Sequence, residues 1–576
     1  MDIVATLSMA GDATTLPLGG TAAGDRRTGS GGRLSHEVRE LAGTEAGVLS
    51  GALALAAIVA LSLFIVLISA NRPSILSPTT HTGYFPRWMA GPLGGLLPGF
   101  TSDATTLKYL FTAAVAAMYG GYVVVLKRAP RLPARWVIAA IVSVHAIFLL
   151  APPLALTDLF NYVNYARMEV VHNLNPYTSI PIVEPHNDPA YLLSNWHELL
   201  SPYGPLFTLV TFVVVPLGVA GSFWALKGIL MVTSLGMILL VWKCARLLGR
   251  EPRAAIALVG LNPIVLVWGL GGDHNDFLMM FFIILGFYLL LLARARAGES
   301  WAGWPGQPGA SRGISGGVRA ISAAVRGISF GRLREWLLPL SALEIGAGVA
   351  FVTATAMKAS GGVLIPVVLA ALLRAPRAFV QAVLGMAAAT AVVAVASLLA
   401  FGLHIPDLST QGSLVTSESI PNLLGLAIGL GGESEALRVI LSGVLVALVL
   451  VCCWMAWRTP RSRTGSIGAS AGGAGPVDGA GAAGAGVERS ITASGWASVA
   501  LLVTLSWVLP WYVLWVLPLA ALSSSRRLRT AALVLGVYLI VAWAPASQLL
   551  WNAIHFHPEN TPLGKLHHRY VKELLD

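Results

Sequence analysis

The amino-acid sequence predicts an all-α membrane protein, a polytopic helical bundle of about 12–14 spans that each need about 20 apolar residues. Composition is the first observation behind this prediction. Of 576 residues, 56% are hydrophobic and only 11% are charged, whereas about a quarter of the residues in soluble domains are charged. The second observation is that the apolar residues fall in long runs, which satisfy their backbone hydrogen bonds in lipid as helices. The runs cover residues 48–70, 107–126, 136–156, 203–221, 225–243, 254–270, 276–293, 337–357, 360–373, 379–401, 436–457, 497–522 and 530–547.

The basic residues mark the cytoplasmic side of the predicted bundle. The net charge is +11, but the cations stand in short clusters between apolar runs, as the positive-inside bias places them in cytoplasmic loops. We therefore expect a lipid bilayer, and no nucleic acid, as the partner of this charge. The three cysteines, Cys244, Cys452 and Cys453, have neither the spacing of a disulfide framework nor that of a zinc site.

Polar and low-complexity segments divide the chain into regions. Residues 1–47 are predicted to be a disordered cytoplasmic tail. Residues 295–335 and 459–495 are predicted to be flexible cytoplasmic linkers, because they are rich in Gly, Ala and Ser, carry arginines and contain too little hydrophobic surface to fold. The transmembrane regions are then 48–294, 336–458 and 496–576.

Orientation follows from the basic loops and leaves two local questions. Lys127 and Arg128 on the inside place residues 157–202 outside, as the largest exterior loop. Residues 203–243 contain two apolar runs but must cross an odd number of times, so we expect one run to be re-entrant or to lie at the surface. Pro510 interrupts the run 497–522, which we expect to form a hairpin of two half-helices.

The predicted exterior loop 157–202 has the composition of a carbohydrate-binding site, being rich in Asn, Tyr, Trp, His and carboxylates. We expect two surface helices in it. Asp158 directly follows the run 136–156 and should lie at the membrane surface, where a carboxylate can take the proton of an acceptor hydroxyl. The alternative is that Asp158 only caps the helix that follows it.

Two further predicted exterior turns carry polar residues at bilayer depth. Asp273, His274, Asn275 and Asp276 form the first; each alone is commonly a helix cap, but polar clusters at this depth are costly and usually functional. Two carboxylates and a histidine are compatible with a divalent cation, although the spacing is not diagnostic. Lys358, in the second turn, is either a snorkelling anchor or a cation that binds a lipid phosphate.

The aromatic run P-W-Y-V-L-W at residues 510–515 has two interpretations. It is either an ordinary interfacial belt or a stacking wall for a sugar or an isoprenoid chain. From the sequence, the belt is favoured.

Taken together, these segments resemble the actinobacterial polyprenol-phosphomannose-dependent alpha-1,6-mannosyltransferases of the GT-C superfamily. That family has an Asp in a D-x-Y-x-Y pattern, an N-P-Y-like turn, P-Y-G-P-L, an N-P-L element followed by G-x-H-N-[DE], and a small-residue turn with a Lys. The matching residues here are Asp158, Tyr162, Asn175, Pro176, Tyr177, Pro202, Tyr203, Gly204, Pro205, Leu206, Asn262, Pro263, His274, Asn275, Asp276 and Lys358. Thr157, Phe160 and Asp273 depart from the pattern.

The resemblance implies a GT-C-like fold in the plasma membrane and an inverting transfer at its exterior face. A mannosyl residue, or a similar hexosyl or pentosyl residue, would pass from a polyprenyl-phosphate donor to a glycolipid or envelope glycan, with Asp158 as the general base. Lys358 and His274 would stabilise the departing negative charge. The implied donor- and substrate-binding residues are Tyr162, Asn175, Tyr177, Tyr203, His274, Asn275, Asp276 and Lys358. No cofactor or metal is predicted, because a monophosphate leaving group does not require one.

Two other functions use the same polar residues. A transporter or flippase for a lipid-linked sugar would need polar groups at bilayer depth, but such folds often contain related halves, and no repeat is visible here. A non-catalytic envelope-assembly subunit would use the exterior loops as binding surfaces. Replacing Asp158 by Asn should abolish transfer by an enzyme and largely spare these two alternatives.

Overall fold

The computed structural model describes residues 30–70, 85–97, 100, 103–154, 158–297, 340–407, 412, 414–458 and 479–556. Throughout these ranges the regular secondary structure is helical, without a strand. The chain divides into a short unit, Met1–Leu49, and a large unit, Ser50–Asp576. The described part of the short unit is the first half of a helix; all the contacts below lie within the large unit.

The helices up to the predicted linker 295–335 differ widely in length, from 5 to 40 residues. They are α1 (Ser30–Ser69), α2 (Ala104–Arg128), α3 (Ala134–Leu149), α4 (Asp158–His172), α5 (Pro189–Leu193), α6 (Pro205–Val214), α7 (Gly218–Leu247), α8 (Pro252–Gly260) and α9 (Asp276–Ala297). Short 3-10 turns cover Arg87–Ala90, Ala129–Arg131, Pro181–Val183 and Val215–Leu217, and a π-helix covers Val265–Leu270.

The helices after this linker also differ in length. They are α10 (Ala342–Met357), α11 (Ile365–Leu372), α12 (Pro376–Phe401), α13 (Ile420–Ala427), α14 (Glu435–Trp457), α15 (Gly479–Thr504), α16 (Leu517–Leu522), α17 (Arg526–Trp543) and α18 (Ser547–Ala553). Two 3-10 segments, Ala359–Leu364 and Pro510–Trp515, precede α11 and α16.

The prediction of an all-α polytopic membrane protein is confirmed. Within the described ranges, six helical segments are long and apolar enough to cross a membrane, or seven if the bent pair α17–α18 is one span. The six are Glu45–Ser69, Ala104–Arg131, Pro205–Leu247, Asp276–Arg296, Pro376–Phe401 and Glu435–Trp457. Most of the other apolar runs form shorter helices, so there are fewer long spans than predicted apolar runs.

Prolines explain two of these shortened runs. The run 136–156 forms a helix only to Leu149, because Pro152 and Pro153 follow and neither can donate a backbone hydrogen bond. The run 254–270 breaks at Asn262–Pro263, where the Asn262 side chain accepts from the backbone N–H of Ile264 at 3.0 Å.

Two helices begin inside segments predicted to be a tail or a linker. Helix α1 begins at Ser30, inside the predicted disordered tail 1–47. Helix α15 begins at Gly479, inside the predicted linker 459–495, and its residues Ile491 and Ser494 are buried. The remainder of the tail, residues 459–478 of this linker and residues 298–335 of the other linker lie outside the described residues.

The structure describes both segments whose number of crossings was left open, residues 203–243 and 497–522. In residues 203–243, α6 has ten residues and α7 has 30. The two helices belong to one candidate span, Pro205–Leu247, in which α7 is the longer part. In residues 497–522 the chain turns back after α15, and the Ser523 hydroxyl lies 2.7 Å from the Thr492 hydroxyl, as a hairpin requires.

The packing of the long helices brings two distant parts of the sequence together. Helix α9 packs against both α7 and α10, and α10 packs against α12. Glycine allows close approach between the last two, since a Cβ atom at Gly348 would lie 2.0 Å from the Ala382 carbonyl oxygen. As a result Asp276, the first residue of α9, lies beside Lys358, which immediately follows α10.

Candidate active site

The first nine residues of helix α4, which Asp158 begins, are buried inside the protein. The two helices predicted in the 157–202 loop, α4 and α5, are present. Val170 and Val171 near the end of α4 are exposed. Phe160 stacks on Phe223 of α7 at 5.6 Å between ring centroids. The hydroxyl of Tyr165 donates to the Leu199 carbonyl at 2.7 Å. These contacts fix the orientation of the helix that carries Asp158.

Backbone hydrogen bonding holds the turn 271–276 next to the segment before α4. The N–H of Leu154 donates to the Gly271 carbonyl oxygen at 2.7 Å. The π-helix Val265–Leu270 runs directly into this turn. π-Helical turns are rare in proteins, and those that occur often lie at functional sites. The turn then delivers His274, Asn275 and Asp276 to the same region as Asp158.

His274 contacts Asp158 directly. The distance from Nδ1 of His274 to Oδ2 of Asp158 is 3.2 Å, and the His274 side chain is 1% exposed. The imidazole ring lies flat on the indole of Trp511, with 3.4 Å between ring centroids and 8° between ring planes. The contact with Asp158 is not aligned as a hydrogen bond, so that both ring nitrogens are unpaired in the described part of the chain.

Asp276 and Lys358 form an ion pair enclosed by aromatic rings. Nζ of Lys358 donates to both carboxylate oxygens of Asp276, at 2.9 and 2.8 Å. The indole N–H of Trp515 donates to the same carboxylate at 2.5 Å. The ammonium group also lies 4.9 Å from the Tyr512 ring centroid, within the range of a cation–π interaction. Because the Lys358 side chain remains 20% exposed, it can reach a ligand.

Asn275 and Tyr162 link the turn that leads into Asp276 to the helix that Asp158 begins. The backbone N–H of Asn275 donates to the Tyr162 hydroxyl at 3.3 Å. Burial raises the pKa of Tyr162 well above its usual value, and the nearby carboxylates of Asp158 and Asp276 add to the increase. The Asn275 side chain is fully buried, and neither its amide nitrogen nor its amide oxygen has a hydrogen-bond partner among the described residues.

Three of the predicted binding residues have neighbours that explain their positions. The ring of Tyr203 meets that of Tyr162 edge-on at 4.7 Å, so Tyr203 belongs to the site. Tyr177 lies behind it and donates to the Tyr203 carbonyl oxygen at 2.9 Å. Asn175 orders its own turn by accepting from the Tyr177 N–H at 3.0 Å and donating to the Phe401 carbonyl at 2.8 Å. The structure thus gives Asn175 and Tyr177 supporting contacts instead of places beside Asp158.

Four residues of this region are not among the predicted site residues. Trp511, Tyr512 and Trp515 are buried and surround His274 and Lys358, so the interpretation of residues 510–515 as an interfacial belt is wrong. The fourth, Lys227, is 2% exposed and pairs with Asp273. A lysine inside an apolar run is a signal that could have identified it, because charges within membrane helices usually mark functional positions.

Both carboxylates of the turn 271–276 form ion pairs with lysines. Asp273 accepts from Lys227, and Asp276 accepts from Lys358. In the ranges that the structure describes, no group of three or more His, Cys, Asp and Glu side chains has the arrangement of a metal site. Lysines, therefore, balance the negative charges of this turn.

Comparison with known sequences identifies the family. The family described as alpha-(1->6)-mannopyranosyltransferase, N-terminal domain, matches residues 74–375, which is more than half of the 576 residues. The chain belongs to this family. The match confirms the resemblance seen in the motifs. It includes every residue from Asp158 to Lys358, whereas Trp511, Tyr512 and Trp515 lie beyond it.

Individual members of the alpha-(1->6)-mannopyranosyltransferase family are similar over long stretches. An alpha-(1->6)-mannopyranosyltransferase of Mycobacterium tuberculosis is 28% identical over 433 residues, which cover 68% of this chain and 66% of the relative. A probable alpha-(1->6)-mannopyranosyltransferase of Mycolicibacterium smegmatis is 26% identical over 423 residues, with the same two coverages. The chain thus spans just under two thirds of the length of these relatives. A shorter match, to alpha-(1->6)-mannopyranosyltransferase A of Mycobacterium tuberculosis, is 34% identical over 160 residues, covering 27% of this chain and 30% of the relative. No solved structure matches the chain.

Proposed function

We propose that this protein is a membrane mannosyltransferase that uses a polyprenyl-phosphate-linked donor. It moves a mannosyl residue, with inversion at the anomeric carbon, to a glycolipid or envelope glycan at the outer face of the plasma membrane. Family membership supports the sugar and the reaction class. The observation that carries the proposal is the Asp158–His274 contact at 3.2 Å, which lies in the same cluster as the Lys358–Asp276 pair.

The reaction requires one base and one stabilised leaving group. An acceptor hydroxyl oxygen attacks the anomeric carbon of the donor while its proton passes to the Asp158 carboxylate. The bond between the anomeric carbon and the phosphate oxygen breaks, and its electron pair leaves with the polyprenyl phosphate. His274 lies beside the carboxylate that takes the proton and limits the directions in which that carboxylate can turn.

Unpaired polar atoms support a polar ligand at this position. The side-chain amide of Asn275, both ring nitrogens of His274 and the indole N–H of Trp511 are buried without hydrogen bonds among the described residues. Native proteins satisfy the large majority of buried polar groups, so each exception calls for an explanation. Sugar hydroxyls both donate and accept, and they would pair with all of these atoms.

The leaving phosphate would bind at Lys358. A phosphate oxygen can replace one of the two Asp276 oxygens that Lys358 now contacts, and charge-assisted hydrogen bonds to phosphate are about twice as strong as neutral ones. Trp515 and Tyr512 hold the ammonium in place, so little reorganisation is needed when negative charge develops.

An apolar cleft beside Trp515 supports a lipid-linked donor. The cleft is small and lies between α9, the 3-10 segment Ala359–Leu364 and α15. Its lining consists of Met279, Met280, Ile283, Ser360, Gly361, Val363, Leu364, Ser498, Leu501 and Trp515. Since Trp515 also contacts Asp276, an isoprenoid chain in this cleft would have its phosphate end at Lys358.

Transfer by the purified protein tests the proposal. The protein in liposomes receives radiolabelled mannosyl-, glucosyl- or pentosyl-phosphopolyprenol and a lipid-tailed α-1,6-linked dimannoside, and labelled glycolipid is counted. We expect label from the mannosyl donor, at least about tenfold above the other two sugars, and an α-linked product from a β-linked donor.

A second measurement separates the transferase from a flippase and tests the orientation. Intact cells that make the protein are given a membrane-impermeant dimannoside, and extension of this acceptor reports a site that faces the exterior. Movement of the labelled donor across a liposome membrane without any glycosylated product would contradict the proposal and establish transport instead.

A further inference from the structure

A buried ion pair lies next to the site but takes no part in the proposed reaction. Nζ of Lys227, in the first third of α7, donates to both carboxylate oxygens of Asp273 at 3.0 and 2.9 Å. The two side chains are 1% and 3% exposed. Burial raises the pKa of Asp273 to about 6, and the charge of Lys227 is the largest opposing influence.

Asp273 occupies a backbone conformation that few residues adopt. Its φ is +58°, in the left-handed region, where Asn, Asp and Gly are strongly preferred. The next residue, His274, donates its backbone N–H to the Gly269 carbonyl at 3.3 Å, and Asn275 donates to Tyr162. A change at Asp273 is therefore passed directly to the backbone that carries His274.

The location of Lys227 is difficult to explain by stability alone. A lysine within a membrane helix is costly, and replacing a buried ion pair by well-packed hydrophobic residues of similar volume is often neutral or stabilising. The ammonium also lies 5.4 Å from the ring of Phe223, which stacks on Phe160 of α4. Lys227 thus contacts both the turn that carries His274 and the layer that supports the helix of Asp158.

We propose that the Lys227–Asp273 pair is a positioning element that sets the His274 ring against Asp158. Lys227 and Asp273 touch neither donor nor acceptor; they fix the conformation of the turn 271–276 relative to α4. This inference rests on the proposed transferase function. It assigns a role to Asp273, which departs from the family's sequence pattern, and to a lysine that no motif includes.

Three variants separate positioning from stability. Lys227→Met leaves the Asp273 carboxylate buried without its cation, and Asp273→Asn leaves the ammonium without its anion, so both should lower the midpoint of thermal unfolding. The double variant Lys227→Met/Asp273→Asn removes both charges and keeps a residue that tolerates the left-handed conformation. Lys243→Met, an exposed lysine of the same helix, is the matched control.

We expect the double variant to unfold at nearly the wild-type temperature and yet to transfer poorly. Its kcat should fall at least tenfold while KM for the donor changes less than threefold, because Lys358 and Trp515 still anchor Asp276 at the end of the turn. Hydrogen–deuterium exchange at the amides of residues 273–275 should become at least tenfold faster than in wild type. The control Lys243→Met should match the wild-type protein in all three measurements.

Two results would overturn the positioning role. One is a double variant that transfers at the wild-type kcat; the other is wild-type exchange at residues 273–275 in the double variant, whatever its activity. If the wild-type protein transfers no sugar from any donor, the proposed function fails. The exchange measurement then decides alone whether the ion pair fixes the turn.

Discussion

Asp276 accepts two hydrogen bonds from Lys358 across 82 positions of sequence, at 2.9 and 2.8 Å. This contact joins the first residue of α9 to the residue that follows α10. The packing of these two helices against each other brings the carboxylate and the ammonium together. The pair is therefore a product of the membrane fold, and it gives Lys358 a fixed position near Asp158.

Replacing Lys358 by Met should lower kcat/KM for transfer by about 100-fold, which corresponds to about 2.7 kcal/mol of lost transition-state stabilisation. Methionine fills a similar volume between Tyr512 and Trp515 but cannot balance the charge of the departing phosphate. Initial rates at several donor concentrations measure the change. Lys108→Met, at an exposed position of α2, should transfer at the wild-type rate. A wild-type rate for Lys358→Met would exclude Lys358 from the reaction.

Gly204→Ala should destabilise the protein and reduce transfer. A Cβ atom at Gly204 would lie 2.1 Å from the carbonyl oxygen of Ala356, near the end of α10. Overpacking of this kind costs about 1–3 kcal/mol, and the displacement would move Lys358. Thermal unfolding in detergent checks the prediction. The control is Gly120→Ala, where nothing lies within 4 Å of the added Cβ; equal midpoints for the two variants would contradict it.

Glu184 should make stability depend on pH. Burial raises the pKa of its carboxyl group from 4.5 to about 8, against the hydrogen bond from Asn164. The folded state keeps this proton while the unfolded state releases it, so the stabilising contribution is complete below pH 4.5 and is lost as the pH rises to about 8. Glu184→Gln should reduce the fall in unfolding temperature between pH 5.5 and 8.

The control for this titration is Glu198→Gln, at an exposed position of the same loop. It should keep the wild-type dependence on pH. If Glu184→Gln also keeps that dependence, the buried Glu184 carboxyl is not its source.

Chelation should leave the transfer rate within about twofold of that of the untreated enzyme. The two carboxylates that seemed available for a cation, Asp273 and Asp276, are each paired with a lysine, and a phosphate leaving group can be neutralised by Lys358. The assay compares rates before and after treatment with EDTA. Loss of activity that added Mg²⁺ or Mn²⁺ restores would show that a metal takes part.

Hydropathy predicted the fold class well and the helix lengths less well. Long apolar runs such as 379–401 and 436–457 became long helices, because in lipid each run must close its own hydrogen bonds. The runs 136–156 and 254–270 did not, since prolines interrupt them. Composition predicted a linker where α15 begins, because Gly- and Ala-rich sequence resembles a flexible segment unless its packing partners are known.

The candidate site was predicted where its residues stand at the boundaries of apolar runs. Asp158, His274, Asp276 and Lys358 were recognised in this way, and the structure places them together. Trp515 was not, because an indole that donates to a buried carboxylate and one that faces lipid headgroups look alike in sequence. Pairings over long separations, such as those of Asp276 with Lys358 and with Trp515, depend on packing that no local pattern records.

The most direct test of the account is the single-turnover rate of mannosyl transfer by Asp158→Asn. The amide keeps the size of the carboxylate and its contact with His274 but cannot take the acceptor proton. Asp103→Asn is the matched control, since Asp103 caps α2 at an exposed position and asparagine caps equally well. The account predicts a rate at least about 1,000-fold below wild type for Asp158→Asn, with normal donor binding, and a wild-type rate for Asp103→Asn. Transfer by Asp158→Asn within tenfold of the wild-type rate would contradict the role of Asp158 as the base.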